Sequence, residues 1–367
     1  MVVSLKWIHF IILNILTQYS HVEIFLGEYD IFFWPCAILW GLDRLLRFSR
    51  ILILNPRFWK KTATVSYNPD SNIIRVVAET NSGLLKSYPG AFYYIYTLNH
   101  LRFWESHPFT LAYCTTDGDA AHPTLKPAKQ PLVQRLSTSS DRSRSPAQST
   151  ESDELLGSDS SSSLVFLIRP YDGFTSRLKN AASSTPEPLH VLLEGPYGES
   201  DHLSAFQNIL LIVGGSGIAV PLSVLDSLLH NEHFSAPSCI TIVWAVREPE
   251  FCSDVLDTDL RLCVAGEHNA KLSVEVYCTK GRNDAEALKE YVKQRNGMDV
   301  AVFGRRPDIR ERVMGEGMRC RGEGEKLAVV ACGPAGMADE VRSSVVEVLR
   351  KGEGWDGIKF FDKGFSW

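Results

Sequence analysis

With 367 residues the chain is longer than one ordinary core requires, so two domains plus an appendage are expected. Its 38 Lys and Arg against 43 Asp and Glu give a formal charge of -5, which supplies no basic field and excludes nucleic acid as an expected partner. Eight cysteines without a C-x-x-C pair argue against a zinc ribbon or a redox dithiol; most are expected to be small buried hydrophobes in a reducing compartment.

The first expected elements are two apolar helices. From Trp7 to Val22 sixteen residues pass without Lys, Arg, Asp or Glu. A polar turn, GEYD at 27–30, and a second run, Ile31 to Leu42, follow. Both runs are short against the ~20 residues of a full span. The second continues as a helix in which Asp43, Arg44, Arg47 and Arg50 recur at three- and four-residue steps. Residues 1–55 are therefore expected to form a transmembrane helix pair whose second member leaves the bilayer as a basic, interfacial extension, with a monotopic hairpin or a buried core pair as the alternative. Arg57, Lys60 and Lys61 add positive charge, while the turn carries Glu28 and Asp30, so the long C-terminal portion is expected on the cytosolic side.

Beyond Lys61 the period changes to two. TATVSYNP, NIIRVVAE and AFYYIYTL, separated by Asn-Pro-Asp and Pro-Gly turns, read as antiparallel strands of a small β-barrel over 56–204. The barrel is interrupted at 117–163, where twelve serines fall between Ser137 and Ser163; too little apolar surface is present to order this insert. Arg135, Arg142 and Arg144 stand near Ser137, Ser143 and Ser145, a pattern open to phosphorylation or to a plain spacer. SLVFLIRP at 163–170 resumes the barrel. From Phe206, Val/Ile/Leu-rich runs alternate with helical patterns, predicting an α/β domain with a doubly wound parallel sheet over 205–367.

Three stretches suggest phosphate binding. Gly214, Gly215 and Gly217 lie between a buried strand and a helix, where glycine lets backbone N–H groups approach a pyrophosphate and the helix dipole favours it. Val220 occupies the place of the last glycine of a full G-x-G-x-x-G, and tight turns without ligand also use glycine. Arg247 follows the next strand, where an NAD site wants a carboxylate and a 2′-phosphate suits an arginine; Glu248 beside it leaves both open. Arg305 and Arg306 after a later strand add cations and favour NADPH over NADH, with a solvated basic turn as the alternative. Gly173, Thr175, Ser176 and Arg177 offer donors to a second pyrophosphate, or form a plain turn.

Six motifs in order, His107-Pro108-Phe109-Thr110, Gly173-Phe174-Thr175-Ser176-Arg177-Leu178, EGPYG at 194–198, GGSGI at 214–218, CGPAG at 332–336 and the terminal FSW, resemble the fungal ferric-chelate reductases. Those share with NADPH oxidases a ferredoxin-reductase-like flavin module behind a haem-bearing membrane domain. The resemblance implies that His107, Pro108, Phe109 and Thr110 hold FAD, with Thr110 near its redox-active edge, and that Gly173, Thr175, Ser176 and Arg177 take its pyrophosphate. It implies that Gly215, Gly217 and Ile218 contact NADPH phosphates and that Cys332, Gly333 and Pro334 approach the nicotinamide. Phe365 or Trp367 would stack on the flavin until displaced. Thr110, Cys332 and Phe365 are thus the expected catalytic residues.

The family pattern is not met everywhere. Val220 precedes Pro221 where threonine is common, and Lys363 stands where an acidic residue is frequent. The family also carries about six spans, of which only the last two are expected here, so the chain reads as truncated at its N-terminus. His9 and His21 fall where the family places haem ligands. Twelve residues apart, they are separated by about 18 Å and about 120° on a regular helix, and no facing helix supplies the opposing histidines, so haem is not expected in this chain. The implied activity is a plasma-membrane flavoprotein passing electrons from NADPH through FAD to a ferric chelate or other acceptor. A superoxide-producing oxidase and a non-catalytic membrane subunit are the alternatives.

Overall fold

The computed structural model describes residues 30–55, 62–80, 88–98, 105–116, 162–184, 188–199, 201–229, 237–264, 270–293, 299–352 and 354–364. The first apolar run with His9 and His21, the serine-rich insert up to Ser161, and Phe365 and Trp367 lie outside these residues. The chain divides into two compact units, Met1–Pro56 and Arg57–Trp367.

In the first unit, helix α1 (Asp30–Leu54) runs through Pro35 and is closed by Asn55, whose Nδ2 donates to the Ile51 carbonyl at 2.8 Å. Trp34, Ile38, Leu39, Trp40 and Leu45 are all more than half exposed. The first expected span lies outside the described residues, and the second is not found: among the described residues no helix is long and apolar enough to cross a membrane. The reason lies in α1 itself, where Asp43, Arg44, Arg47 and Arg50 interrupt the apolar stretch after Leu42.

The second unit begins with the barrel. Strands β1 (Thr62–Asn68), β2 (Ile73–Thr80), β3 (Phe92–Thr97), β4 (Ser106–Thr116), β5 (Ser162–Ile168) and β6 (Leu189–Tyr197) close in the order β1-β2-β5-β4-β3-β6, all antiparallel. The Asn-Pro-Asp signal forms the β1–β2 turn, where Asn68 Oδ1 accepts from the Asp70 N–H and Asn72 takes φ 49°. Between β5 and β6 lies α2 (Phe174–Ser184).

The remainder is a six-stranded parallel sheet in the order β10-β9-β8-β7-β11-β12. Its strands are β7 (Asn208–Gly214), β8 (Cys239–Val246), β9 (Lys271–Cys278), β10 (Val300–Phe303), β11 (Leu327–Cys332) and β12 (Ile358–Asp362). The connecting helices are α3 (Ala219–Leu229), α4 (Pro249–Val255), which continues through a π turn, Leu256–Leu260, into α5 (Arg261–Cys263), then α6 (Arg282–Lys293), α7 (Ile309–Glu323) and α8 (Ala335–Lys351). The sheet is built outward from β7 in both directions, so its topological switch point lies between β7 and β11, the place where open α/β sheets bind ligands beyond their carboxyl ends.

Barrel and sheet share one core. Ile73, Ala112, Tyr113, Val165 and Leu167 of the barrel pack with Ile209, Leu222 and Leu225 of the α/β part. A buried polar staple joins them. Arg75 of β2 places Nη2 2.7 Å from Asp259 Oδ2 and Nη1 3.1 Å from Asp254 Oδ2. The Tyr113 hydroxyl donates to Asp259 Oδ1 at 2.9 Å, and Ser71 Oγ to Asp254 Oδ2 at 2.7 Å. Burial works against the Arg75 charge, yet its hydrogen bonds to Asp259 and the two neighbouring carboxylates hold its pKa above the ordinary arginine value.

Candidate functional site

The two motifs expected to hold a flavin come together at one end of the barrel. His107 and Phe109, alternate residues of β4, share a face, and both rings lie against Phe174 at the start of α2, with centroids 4.8 and 6.1 Å away. Gly173 takes φ +75°, a left-handed turn that lets the helix begin immediately after it. Thr175 closes that turn, its Oγ1 accepting from the Tyr171 N–H at 2.7 Å. Thus GFTSR is not a plain turn but a turn and helix start in one, with Ser176 and Arg177 in the first helical turn.

Arg177 has a partner that sequence reasoning missed. It forms an ion pair with Glu105, which also lies 3.3 Å from His107 Nε2. Burial would raise the Glu105 carboxyl, but the hydrogen bonds from Arg177 and His107 outweigh it and hold the pKa below its usual value. The only signal in the sequence is an acid two residues ahead of HPFT.

Thr110 faces the other way. It pairs with Phe92 across β3–β4 and is buried, with an Oγ1 that has no hydrogen-bond partner. An enclosed hydroxyl without a partner costs about 1–3 kcal/mol, a cost that an acceptor from outside the polypeptide would remove. Phe92 lines a cavity of about 720 Å³ between barrel and sheet, together with Gly198, Val220, Phe361 and Gly364.

The glycine loop lies at the switch point. After β7, Gly214 to Gly217 turn through a 3₁₀ segment, Gly215–Ile218, into α3. Gly215 has φ +54°, and its carbonyl accepts from the buried Trp244 indole at 3.0 Å, a contact the sequence pattern did not disclose. A methyl on Gly217 would stand 2.5 Å from the Cys332 carbonyl oxygen and 3.1 Å from its Sγ. Gly214 in turn lies against Pro334 and Gly333. The structure therefore brings GGSG and Cys332-Gly333-Pro334 into direct contact, as the pairing of Val213 with Cys332 requires. The Ile218 side chain is buried, which leaves only its backbone facing the loop.

Two hydrogen bonds tie β4 and the segment before β3 to α3. Asp226 Oδ2 accepts from the Cys114 N–H at 3.0 Å, and Ser223 Oγ from the Gly90 N–H at 3.1 Å. Because Leu111 N donates to the Ala91 carbonyl, stepping back along β4 from Cys114 to Leu111 steps back along α3 from Asp226 to Ser223. Thr110 accordingly lies toward the start of α3, where Val220 lines the same cavity as Phe92 and Gly217 touches Cys332.

Burial pushes the Cys332 thiol up to about 12, with Asp362 adding to the effect. At pH 8 a group of that pKa is ionised about one time in ten thousand, and only the thiolate alkylates. Iodoacetamide treatment of the folded chain at pH 8, read by peptide mass spectrometry, is expected to leave Cys332 unlabelled and to label it only after denaturation.

Arg247 follows β8, and Arg305 and Arg306 follow β10, all exposed at the carboxyl edge of the sheet. Glu248, next to Arg247, is turned toward the barrel, with Oε2 2.8 Å from Arg169 Nη2. Among the described residues no cluster of His, Cys, Asp and Glu could hold a metal ion.

The chain is similar to known proteins. Residues 206–346 fit the family model described as Ferric reductase NAD binding domain, and residues 57–143 that described as FAD-binding domain. Ferric reductase transmembrane component 6 of Saccharomyces cerevisiae is 27% identical over 348 residues, covering 90% of this chain and 41% of the relative. Component 5 of the same yeast is 25% identical over 350 residues, covering 90% and 42%. The chain spans about two fifths of the length of these curated relatives. Among solved structures, a ferredoxin NADP+ reductase from Neisseria gonorrhoeae with bound FAD and NADP aligns at a TM-score of 0.46 and 13% identity, covering 83% of this chain and 97% of that one.

Proposed function

We infer that this chain, a homologue of the fungal ferric reductases, is a membrane-associated flavoprotein that takes electrons from NADPH and delivers them to a ferric chelate. The observation that carries the reading is the switch point. The glycine loop touches Cys332 there, while the unpartnered hydroxyl of Thr110 lies toward the same end of α3. Bound FAD would supply what side chains cannot, acceptance of one hydride, with its electron pair, and release of those electrons singly.

The residues fit that group. Thr110 holds a buried hydroxyl ready to donate to a ring heteroatom. Pro108 lies on the Thr110 side of β4, while His107 and Phe109 share the opposite face with Phe174, and Arg177, with the N–H groups of Thr175 and Ser176 at a helix start, meets a pyrophosphate. Gly214, Gly215 and Gly217 leave the backbone N–H groups of the second loop open to a nucleotide, and Arg247 and Arg306 complement a 2′-phosphate. The Cys332 thiol stays protonated at neutral pH, so it shapes the nicotinamide position as a neutral group. We assign 56–204 as the flavin domain, 205–367 as the nucleotide domain and 1–55 as the membrane-directed segment, for which the exposed Trp34, Ile38, Leu39 and Trp40 of α1 and its basic second half speak. The flavin and nucleotide domains then face the cytosol.

Detergent-purified chain, supplied with FAD, is expected to reduce a ferric chelate in the presence of NADPH, and oxygen uptake without chelate separates this from an oxidase. Absence of both activities in a chain that retains flavin would refute the reading. Thr110→Val, which keeps the shape and removes the hydroxyl, is expected to leave the flavin-free fold at least as stable while slowing flavin reduction by NADPH at least about tenfold; thermal melts and anaerobic stopped-flow absorbance check the two halves.

A further inference from the structure

Glu248 stands where a carboxylate would favour NADH, one residue beyond the arginine that would favour NADPH. The structure shows why the two do not compete. Arg169, the residue after barrel strand β5, reaches across to Glu248 with Nη2 2.8 Å from Oε2. That oxygen is enclosed and accepts no hydrogen bond, while the side chain as a whole is 32% exposed, so the contact is a charge pair that holds one carboxylate oxygen toward Arg169. Arg247 is exposed and makes no ion pair among the described residues. Arg305 and Arg306 are likewise exposed two strands away on the same edge. The edge thus presents cations outward while its adjoining carboxylate is held from behind.

We propose that Arg169 determines nucleotide choice without touching the nucleotide. By pairing with Glu248 it withdraws the carboxylate that would otherwise accept from the adenosine ribose hydroxyls, and leaves Arg247 to meet a 2′-phosphate. Arg169 is a positioning residue in this scheme. It also begins the loop that leads to Gly173 and Arg177, so the element that presents the flavin phosphate site also sets the charge of the nucleotide site. The inference rests on the NADPH reading above and deepens it.

The test is isothermal titration of the full chain with NADP+ and with NAD+, which needs no turnover. Wild type is expected to prefer NADP+. Arg169→Met, which frees Glu248, is expected to lower the NADP+ to NAD+ affinity ratio about tenfold, mainly by improving NAD+. Arg169→Met/Glu248→Gln is expected to restore the wild-type ratio, and Arg169→Lys to keep it. A merely structural role for Arg169 predicts no such rescue. An unchanged ratio in Arg169→Met, or a double variant indistinguishable from it, overturns the inference while the NADPH reading stands. Wild-type chain that binds neither nucleotide refutes both.

Discussion

Gly217→Val is expected to abolish reduction of the bound flavin by NADPH while leaving the flavin in place. The Cβ of any side chain at this position would stand 2.5 Å from the Cys332 carbonyl oxygen and 3.2 Å from its carbonyl carbon. Neither atom can retreat, because both belong to the end of β11, which is paired along its length with β7. Overpacking of this kind costs about 1–3 kcal/mol; with the rest of the sheet intact, the strain is relieved most readily by pushing the 214–218 loop outward. That displaces the N–H groups proposed to meet the nucleotide phosphate but leaves Arg177 and Thr110, which stand on barrel elements, in place. Nucleotide titration is expected to show weakened affinity, and flavin reduction is expected to slow at least about a hundredfold, since a small misplacement of the reacting groups is enough for that, whereas flavin content stays near wild type. Loss of flavin together with nucleotide affinity would point instead to general unfolding, and circular dichroism of the variant distinguishes the two.

Arg75→Met is the second large effect. The guanidinium lies between Asp259, which is fully buried, and Asp254. Its removal leaves two carboxylates facing each other with only the Tyr113 and Ser71 hydroxyls as donors. Breaking a buried ion pair from one side costs ~3–5 kcal/mol, and denaturant unfolding is expected to show a loss of that size. Because barrel and sheet share one apolar core, the loss is expected in a single transition and not as early release of one half. Arg75→Met/Asp259→Leu, which removes both charges, is expected to recover most of the stability. A double variant as unstable as the single one would contradict the staple, and two separate transitions would contradict the shared core.

The parts of this molecule that were legible in its sequence are those with a local period or a local backbone demand. Alternation in TATVSYNP and NIIRVVAE, and the unbroken apolar runs of the sheet strands, predict the barrel and the parallel sheet, because burial on one face or two leaves a mark within a few residues. Gly214 to Gly217 are legible for the same reason: a strand that must turn into a helix at close quarters needs glycine there. The staple is not legible. Arg75 is a single charged residue in an apolar strand, and Asp259 lies 184 positions away in a helix with its own acidic pattern; nothing short of the tertiary fold pairs them.

The candidate site divides in the same way. Thr110 stands out in the sequence only through a resemblance, and its orphaned hydroxyl is visible only once β4 has paired with β3 and buried it. Glu105 and Trp244, which fix Arg177 and Gly215, have no motif of their own. The second apolar run was legible as a helix, but the charges from Asp43 onward, which suggested an interfacial extension, are also what keep α1 from qualifying as a span.

The account depends on the flavin and nucleotide pockets lying at one end of α3, and the most direct measurement is the flavin absorbance of anaerobic, detergent-purified chain on addition of NADPH. Prompt bleaching in wild type, retained flavin without bleaching in Gly217→Val, and full bleaching of both by dithionite is the predicted outcome. A wild-type flavin that dithionite reduces and NADPH does not, or a Gly217→Val chain that NADPH bleaches as fast as wild type, would contradict it.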